Sequence, residues 1–363
     1  MAYPGAMQSS STMAERTDPL SGLGIADFRD PALDNTAGFS IEDDLKIARL
    51  LAYAYDRSRT YNELVGIYEE LRVRNIAKEE LGPAIVDEIL ASGRHAPVPL
   101  RDDDIIHGHA ILGKVEQYVA DADGIMPRKG VILENGSSHG KYLHGFSAAF
   151  ERVIAVDFSM CFLVLCKKLV DEARLENVTL ICANAERLPL ESGSVDFIHS
   201  NNVVEHVSDK AAMFRETSRV LADDGLLFVI SPNHFTAYTE PHFGLPFYGF
   251  IPQSIRRAYV SRKVEPLSGF GVDDINLLSL GQLHRLLRAE FPTVRISFIP
   301  SRLRSTVTGG RIRGALVKAL NSPLGKVANF LINRLLLGIM PYHAALCAKQ
   351  PFATSRTAGP SQG

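Results

Sequence analysis

The stretch Val131-Ile-Leu-Glu134-Asn-Gly136-Ser-Ser138-His-Gly140 decides the fold, because a short apolar run enters a loop of small residues there. A helical pattern follows over about 138–150. In an open α/β sheet such a loop lies at the carboxyl edge of the strands, where ligands bind. Small residues let a ligand approach the backbone, and a helix N-terminus favours negative charge. A tight strand-to-helix turn explains the loop equally well, so the loop alone does not establish a binding site.

Downstream of this loop, short apolar runs alternate with helical patterns. The predicted strands are Val131-Ile-Leu, 152–156, 178–182, 195–199 and 226–230, and the predicted helices cover about 161–173, 205–221 and 280–289. Nearly every residue of these strands is apolar, which is typical of a parallel sheet covered on both faces. Two further runs, 294–298 and 343–348, are predicted to form a paired edge. The predicted fold is therefore α/β, with a doubly wound, mostly parallel sheet of seven strands.

The remaining segments divide the chain into domains. Residues 1–40 are rich in Ser, Pro, Gly and Asp and are predicted to be a flexible tail. Residues 41–127 show helical periodicity and are predicted to form a helical N-terminal region. The α/β domain is predicted over 128–350 with insertions at 232–272 and 300–341, and 351–363 is a second predicted tail. Aromatic residues of the first insertion form either an acceptor wall or a small core of their own.

Composition limits the class of protein. The chain has 363 residues, of which 46% are hydrophobic and 22% are charged, as in ordinary globular proteins. This composition excludes a fully disordered chain, a collagen-like chain and a disulfide scaffold. The four cysteines lack Cys-x-x-Cys spacing, so we predict buried, reduced thiols and no structural zinc.

Charge is unevenly distributed along the chain. Residues 291–363 hold ten Lys or Arg and no Asp or Glu, although the whole chain has a net charge of −2. This basic stretch predicts an anionic partner or surface, unless its bases face acids of the main domain. Within it, 314–340 has the pattern of a basic amphipathic helix, which either contacts a membrane surface or packs on the domain as a lid.

Residues 1–20 show no secretory signal and no apolar run is long enough to span a bilayer, so we predict a cytoplasmic protein, with peripheral membrane contact left open.

Polar residues follow the predicted strands at the point where each strand ends. Asp157 ends the second strand, and its carboxylate is able to accept both hydroxyls of a ribose. Asn184 follows the third strand and would bond an adenine edge, with Ala185 leaving room for the ring. Asn201 and Asn202 end the fourth strand, and Asn202 is best explained as a cap or turn former. Together these residues outline a nucleoside-shaped site.

With these residues in place, the segment from about 130 to 231 resembles the class I S-adenosylmethionine-dependent methyltransferases. The family's acidic residue and Gly-x-Gly-x-Gly loop correspond to Glu134-x-Gly136-x-Ser138-x-Gly140, with serine for the middle glycine. Its Asp-Ala-Glu-x-Leu-Pro motif corresponds to Asn184-Ala-Glu-Arg-Leu-Pro, and 194–207 and 214–227 resemble its following strands and helices. The resemblance implies S-adenosylmethionine as cofactor, bound by Glu134, Gly136, Ser138, Gly140, Asp157, Phe158, Asn184, Ala185, Glu186 and Asn201.

The resemblance also implies a chemistry. Methyl transfer from a sulfonium is a direct displacement, so the enzyme mainly aligns the reacting groups and excludes water. An oxygen acceptor would need a base, for which His206 and His234 are the candidates, although either could make a structural hydrogen bond instead. The expected acceptor is a small or lipid-like molecule. Nucleic acid is disfavoured because the basic stretch lacks interleaved aromatic residues.

Other functions remain open at this point. The run Asn202-Val-Val-Glu205-His206 resembles the Glu-x-x-Glu-His metal site of some quinone-pathway methyltransferases, but asparagine replaces the first acid and no metal is expected. The departures at Ser138 and Asn184 leave a catalytically silent binding or scaffold protein as one alternative. An NAD(P)-dependent oxidoreductase is less favoured, because its Gly-x-Gly-x-x-Gly loop would need glycine at Ser138 and Lys141.

Overall fold

The computed structural model describes residues 19–30, 40–58, 60–73, 82–93, 111–113, 115–116, 128–237, 245–263, 275–298, 339 and 342–350. The predicted tail 351–363 and, apart from residue 339, the predicted insertion 300–341 with its basic amphipathic pattern at 314–340 lie outside these residues. Within the described residues, none of the helices combines the length and the apolar character needed to cross a bilayer.

One sheet organises the molecule. Its strands are β1 (Ala26–Asp27), β2 (Val131–Asn135), β3 (Arg152–Asp157), β4 (Val178–Cys182), β5 (Val195–Asn201), β6 (Leu221–Pro232), β7 (Thr293–Phe298) and β8 (Tyr342–Ala348). They lie in the order β1-β4-β3-β2-β5-β6-β8-β7. Strand β8 runs antiparallel to β6 and to β7, and the other neighbours pair in parallel. The predicted doubly wound, mostly parallel α/β sheet is thus confirmed, but it has eight strands rather than seven.

Helices cover the sheet and extend it at the N-terminus. They are α1 (Ile41–Tyr55), α2 (Tyr61–Val73), α3 (Ala84–Ser92), α4 (Leu143–Ala149), α5 (Met160–Glu172), α6 (Lys210–Val220), α7 (Gln253–Lys263) and α8 (Leu280–Glu290). Short 3-10 helices cover Pro19–Leu23 and Tyr248–Phe250. Alternate residues of β3 show why both faces must be covered, since Val153 and Ala155 enter one apolar core and Ile154 and Val156 enter the other.

Local hydrogen bonds explain where two helices begin later than predicted. The helix predicted over 205–221 begins at Lys210, because the Asp209 carboxylate accepts the Ala212 N–H at 2.9 Å and so caps the helix there. The helix predicted from about 138 begins at Leu143, because Gly136, Ser138 and Gly140 have positive φ angles that a right-handed helix excludes. The four cysteines are free and buried, as predicted.

The N-terminal segment differs most from expectation. Residues 1–40 were expected to be a flexible tail, but residues 19–30 fold onto the sheet and β1 pairs with β4. The reason is a buried ion pair, in which the Arg29 guanidinium lies 2.9 Å from the Asp44 carboxylate of α1. Asp44 also accepts the Met160 N–H at 2.8 Å and the Ser159 hydroxyl at 2.7 Å at the start of α5. A carboxylate at a helix N-terminus is stabilised by the exposed N–H groups there, and this contact joins the N-terminal region to the α/β domain.

Candidate active site

A cavity of about 390 Å³ opens at the carboxyl ends of β2 to β5. Eight of the ten predicted cofactor-binding residues line it, all except Glu134 and Gly140, and His206 lines it as well. Parallel strands bring their carboxyl ends to one edge, so residues distant in sequence converge there. Most of the residues predicted to form a nucleoside-shaped site thus line one cavity.

The loop after β2 exposes its backbone to this cavity. Gly136 has φ +85° and Gly140 has φ +88°, the left-handed region that favours glycine. A Cβ atom on Gly136 would lie 2.2 Å from Val203 Cγ2, so a side chain there would collide with the opposite wall. Gly140 instead packs toward α5, where a Cβ would lie 3.2 Å from Cys166 Sγ. This position explains why Gly140 does not line the cavity.

Ser138 stands where the family pattern has its middle glycine. It adopts φ +48°, so serine accepts the left-handed conformation that glycine would adopt without strain. Its N–H donates to Asp157 Oδ2 at 2.6 Å, and its hydroxyl lies 3.1 Å from His139 Nδ1. The loop geometry is therefore retained despite the substitution.

We expect Ser138→Gly to raise the free energy of unfolding by about 1 kcal/mol, because it removes the left-handed strain of a non-glycine residue. The measurement is thermal and denaturant unfolding of the purified protein. Ser138→Ala is the matched control, since it deletes the hydroxyl and keeps the strained φ. A glycine variant that is no more stable than wild type would show that the hydroxyl contact offsets the strain.

Asp157 is held by backbone N–H groups at the end of β3. Its Oδ2 accepts the Ser138 N–H at 2.6 Å, and its Oδ1 accepts the Ser159 N–H at 2.9 Å. Each carboxylate oxygen can accept a further hydrogen bond, so both remain available to a ligand. Burial raises the pKa of Asp157 from 3.8 to about 6, although the N–H groups of Ser159 and Ser138 oppose the shift. The group is mainly ionised at neutral pH and becomes protonated below about pH 6.

Asn184 connects the cavity to the N-terminal segment. Its side chain is buried, and its Oδ1 accepts the Asp30 N–H at 2.9 Å. The Arg187 guanidinium lies 3.0 Å from the Asp30 carboxylate on the same side. The amide oxygen that the sequence assigned to an adenine edge therefore already accepts the backbone N–H of Asp30. Ala185, also buried, supplies the small side chain beside it.

Glu134 lies behind the cavity and not in its lining. Its Oε2 is 2.6 Å from His199 Nδ1, and both side chains are at most 1% exposed. Burial raises the pKa of Glu134, and the neighbouring imidazole opposes this shift. The rings of Tyr142 and Phe146 pack against the His199 ring, with ring centres 4.9 and 5.4 Å from its centre. Sequence analysis missed His199, because a histidine within an apolar strand gives no sign of its cross-strand partner.

Two buried polar atoms of the cavity wall lack hydrogen-bond partners within the described part of the chain, Asn135 Nδ2 and Asn202 Oδ1. One is a donor and the other an acceptor, and buried groups of this kind are normally paired. Asn202 has φ +58° and forms a turn after β5, in agreement with its interpretation as a turn former. Asn201 donates to the Tyr142 hydroxyl at 2.6 Å beside it. A ligand with both hydrogen-bond donors and acceptors would supply partners for these two atoms.

The two candidate bases lie in different cavities. His206 lines the 390 Å³ cavity, and its Nε2 is 4.0 Å from the buried carboxylate of Glu205. His234 lines a second cavity of about 720 Å³ beside the residues that follow β6. Burial and the positive charge of Arg256 lower the pKa of His234, so its imidazole is neutral near pH 7. The sequence placed both histidines beyond strand ends, but only the tertiary structure separates them.

Comparisons with known proteins agree with this geometry. Residues 133–229 match the family model for a methyltransferase domain. A probable S-adenosylmethionine-dependent methyltransferase of Mycobacterium tuberculosis is 34% identical over 105 residues, which are 29% of this chain and 36% of that protein.

Two further relatives carry more specific names. The mitochondrial 2-methoxy-6-polyprenyl-1,4-benzoquinol methylase of Leishmania donovani is 29% identical over 109 residues, covering 29% of this chain and 37% of the relative. A malonyl-[acyl-carrier protein] O-methyltransferase of Methylovorus is 31% identical over 102 residues, covering 26% and 34%. The chain thus spans about a third of the length of these curated relatives. Residues 133–229 thus match a methyltransferase domain within a longer chain, and their strands belong to the mostly parallel sheet described above.

Proposed function

We propose that this protein transfers a methyl group from S-adenosylmethionine to an oxygen atom of a small or lipid-like acceptor. The observation that carries the proposal is the 390 Å³ cavity, in which the glycine loop, the Asp157 carboxylate and the Asn184–Ala185 pair face one space. The domain match over 133–229 supports the same activity.

The cavity residues fit this cofactor. Asp157 would hold the ribose hydroxyls, because its oxygens are fixed by two N–H groups and keep free acceptor capacity. Ala185 and Phe158 line the part of the cavity suited to an adenine ring. The unpartnered Asn135 Nδ2 and Asn202 Oδ1 match a ligand end that carries a carboxylate and an ammonium group. When bound, the cofactor supplies an electrophilic methyl group on a positively charged sulfur.

Of the two candidate histidines, His206 is the better placed to take the acceptor's proton. Its side chain faces the cofactor cavity, while His234 faces the second cavity. The Glu205 carboxylate is 4.0 Å from His206 Nε2, and a negative charge at that distance favours the imidazolium that proton transfer would create. The apolar residues around the cavity would exclude water while the reacting groups are aligned.

The chemical class of the acceptor is suggested by the names of two relatives and by the basic C-terminal stretch. Two relatives are named for methylation of a polyprenyl benzoquinol and of a malonyl-acyl carrier protein, and the second name specifies oxygen. The first name supports a lipid-like acceptor, and the second supports an oxygen atom as the methylated group. The basic stretch 291–363 would suit contact with an anionic membrane surface from the cytoplasm, through the segment 314–340. No motif in the sequence favours nucleic acid as acceptor.

The test is a methyl-transfer assay on three acceptor chemistries: hydroquinone, decanoate and ethanolamine. We expect transfer to an oxygen acceptor, and we expect His206→Ala to lower turnover about a hundredfold, the low end for a general base. His284→Ala is the control, because His284 is an exposed residue of α8. S-adenosylmethionine affinity, measured by equilibrium dialysis, should change less than about threefold in either variant, since the base acts on the acceptor.

Three outcomes would contradict parts of this proposal. Methylation of the ethanolamine nitrogen alone would refute the oxygen assignment. Full turnover of His206→Ala would refute the base assignment. Cofactor binding without transfer to any acceptor would favour a catalytically silent binding protein.

A further inference from the structure

The second cavity, of about 720 Å³, is not used by the cofactor site described above. It forms where the residues after β6 meet α7 and the start of α8. Its lining includes His234, Phe235, Tyr248, Arg256, Asn276 and Arg285. A space of this size between two elements of the domain is large enough for a small organic molecule.

The charge of this lining is positive. Arg256 and Arg285 both face the cavity, and no carboxylate lines it among the residues that the structure describes. The buried Nε of Arg256 has no hydrogen-bond partner within the described part of the chain. A guanidinium presents its donors as a planar fork, which matches a carboxylate or a phosphate. The cavity therefore has an unused binding group for an anion.

The Arg256 guanidinium is held in place by an aromatic ring. It lies 4.6 Å from the centre of the Tyr248 ring, and Tyr248 is 2% exposed. Gly249, next to Tyr248, lets the chain pass close to His234, because a Cβ there would lie 2.1 Å from the His234 carbonyl oxygen. A stacked guanidinium loses less conformational freedom when it binds a ligand than a mobile one does.

The second cavity is next to the cofactor cavity. Asn276, which lines the second cavity, donates its N–H to the Glu205 carbonyl oxygen at 3.0 Å. Glu205 precedes His206, which lines the cofactor cavity, so this hydrogen bond joins the walls of the two cavities. An acceptor bound in the second cavity could therefore extend toward His206.

Aromatic side chains border the positive lining. Phe235 lines the cavity, and its ring centre is 5.4 Å from that of Phe250. Phe235 is 39% exposed and Phe250 is 57% exposed, which is unusual for large apolar side chains placed together. An apolar chain attached to the anion would cover these rings.

We propose that Arg256 and Arg285 bind a carboxylate or phosphate group of the methyl acceptor, whose apolar part lies on Phe235 and Phe250. This inference deepens the proposed function and rests on it, because it names the chemical class of the acceptor. It predicts that the acceptor is an amphipathic anion.

Binding of simple probes tests the proposal without knowledge of the acceptor. Octanoate, octyl phosphate, octan-1-ol and inorganic phosphate are titrated into the full chain by calorimetry, and S-adenosylmethionine is titrated in parallel. We expect at least one eight-carbon anion to bind about tenfold or more tightly than octan-1-ol, in line with charge-assisted hydrogen bonds. Comparison of octanoate with octyl phosphate identifies which anion the site prefers.

Matched arginine variants show which side chains bind the anion. Arg256→Gln should weaken anion binding about tenfold or more, while Arg257→Gln, the next residue of α7 and outside the lining, should not. Arg285→Gln and its control Arg288→Gln form a second such pair on α8. Because Arg285 is exposed, its substitution is less disruptive to folding than that of Arg256. Thermal unfolding of each variant checks that it is folded.

The outcomes separate this inference from the proposed function. Equal affinity for octan-1-ol and both anions, or equal losses in Arg256→Gln and Arg257→Gln, would overturn the anion site. Binding of S-adenosylmethionine without binding of any probe would also overturn it and leave the proposed function intact. Arg256-dependent anion binding without S-adenosylmethionine binding would support the anion site and refute the proposed function.

Discussion

Replacing Asp157 with alanine is expected to weaken S-adenosylmethionine binding by about 10²- to 10⁴-fold. The carboxylate would accept two ribose hydroxyls, and each hydrogen bond to a charged group contributes roughly 1.5–3 kcal/mol. The carboxylate also anchors the N–H groups of Ser138 and Ser159, at 2.6 and 2.9 Å, so we expect its removal to loosen the chain around the cavity. Equilibrium dialysis of the purified variant measures the effect.

The same carboxylate predicts how binding depends on pH. The pKa of Asp157 is about 6 in the folded protein, and the ionised form is the one that would accept both ribose hydroxyls. Affinity should therefore be constant above about pH 7 and should fall about tenfold per unit below pH 6. In Asp157→Ala this dependence should disappear. An unchanged affinity in the variant, or a wild-type affinity that is independent of pH, would refute the ribose assignment.

Asp157 changes the free energy of unfolding with pH in the opposite direction from an acid that is held in an ion pair. Its pKa is raised from 3.8 to about 6 on folding, so the folded state binds the proton more tightly than the unfolded chain does. The contribution of this group to the free energy of unfolding thus decreases as pH rises from about 4 to 6, and the penalty is fully present above pH 6. We infer that the domain accepts this penalty in order to keep a carboxylate in the cavity.

Removal of the buried Glu134 carboxylate is expected to lower the free energy of unfolding by about 3–5 kcal/mol. In Glu134→Ala the Nδ1 of His199 would lose its partner at 2.6 Å and remain fully buried. His199 Nε2 already lacks a partner within the described residues, so the ring would have none for either nitrogen. Denaturant unfolding measures the loss, and Glu151→Ala at an exposed position is the control.

A double variant separates pairing from packing. Glu134→Leu combined with His199→Leu should recover most of the lost stability, because replacing a buried pair of ionisable side chains by apolar ones of similar volume is often neutral for stability. S-adenosylmethionine affinity of Glu134→Ala, measured where the variant is folded, should change less than about threefold, since Glu134 does not line the cavity. A large loss of affinity with unchanged stability would restore the cofactor-binding role that the resemblance implied.

Much of this protein is determined by the sequence itself. Continuous apolar strands separated by helical patterns have few ways to bury both faces, so β2 to β6 and the edge pair β7 and β8 were predictable. The carboxyl ends of parallel strands meet at one edge, so Asp157, Asn184 and Asn201 could be assigned to one site from their positions alone. Backbone conformation also followed from residue type at Gly136, where only glycine tolerates both φ +85° and the nearby Val203 side chain.

Tertiary structure decided what depends on contacts between distant residues. The pairing of Glu134 with His199 joins neighbouring strands 65 positions apart, and no local pattern encodes which face a buried acid will meet. The folding of residues 19–30 rests on the Arg29–Asp44 ion pair, whose partners become close only after α1 packs on α5. The separation of His206 from His234 and the convergence of Arg256 with Arg285 likewise depend on how loops pack. Local propensity sets the elements, whereas the energies of burial and charge pairing act only once the chain has brought these groups together.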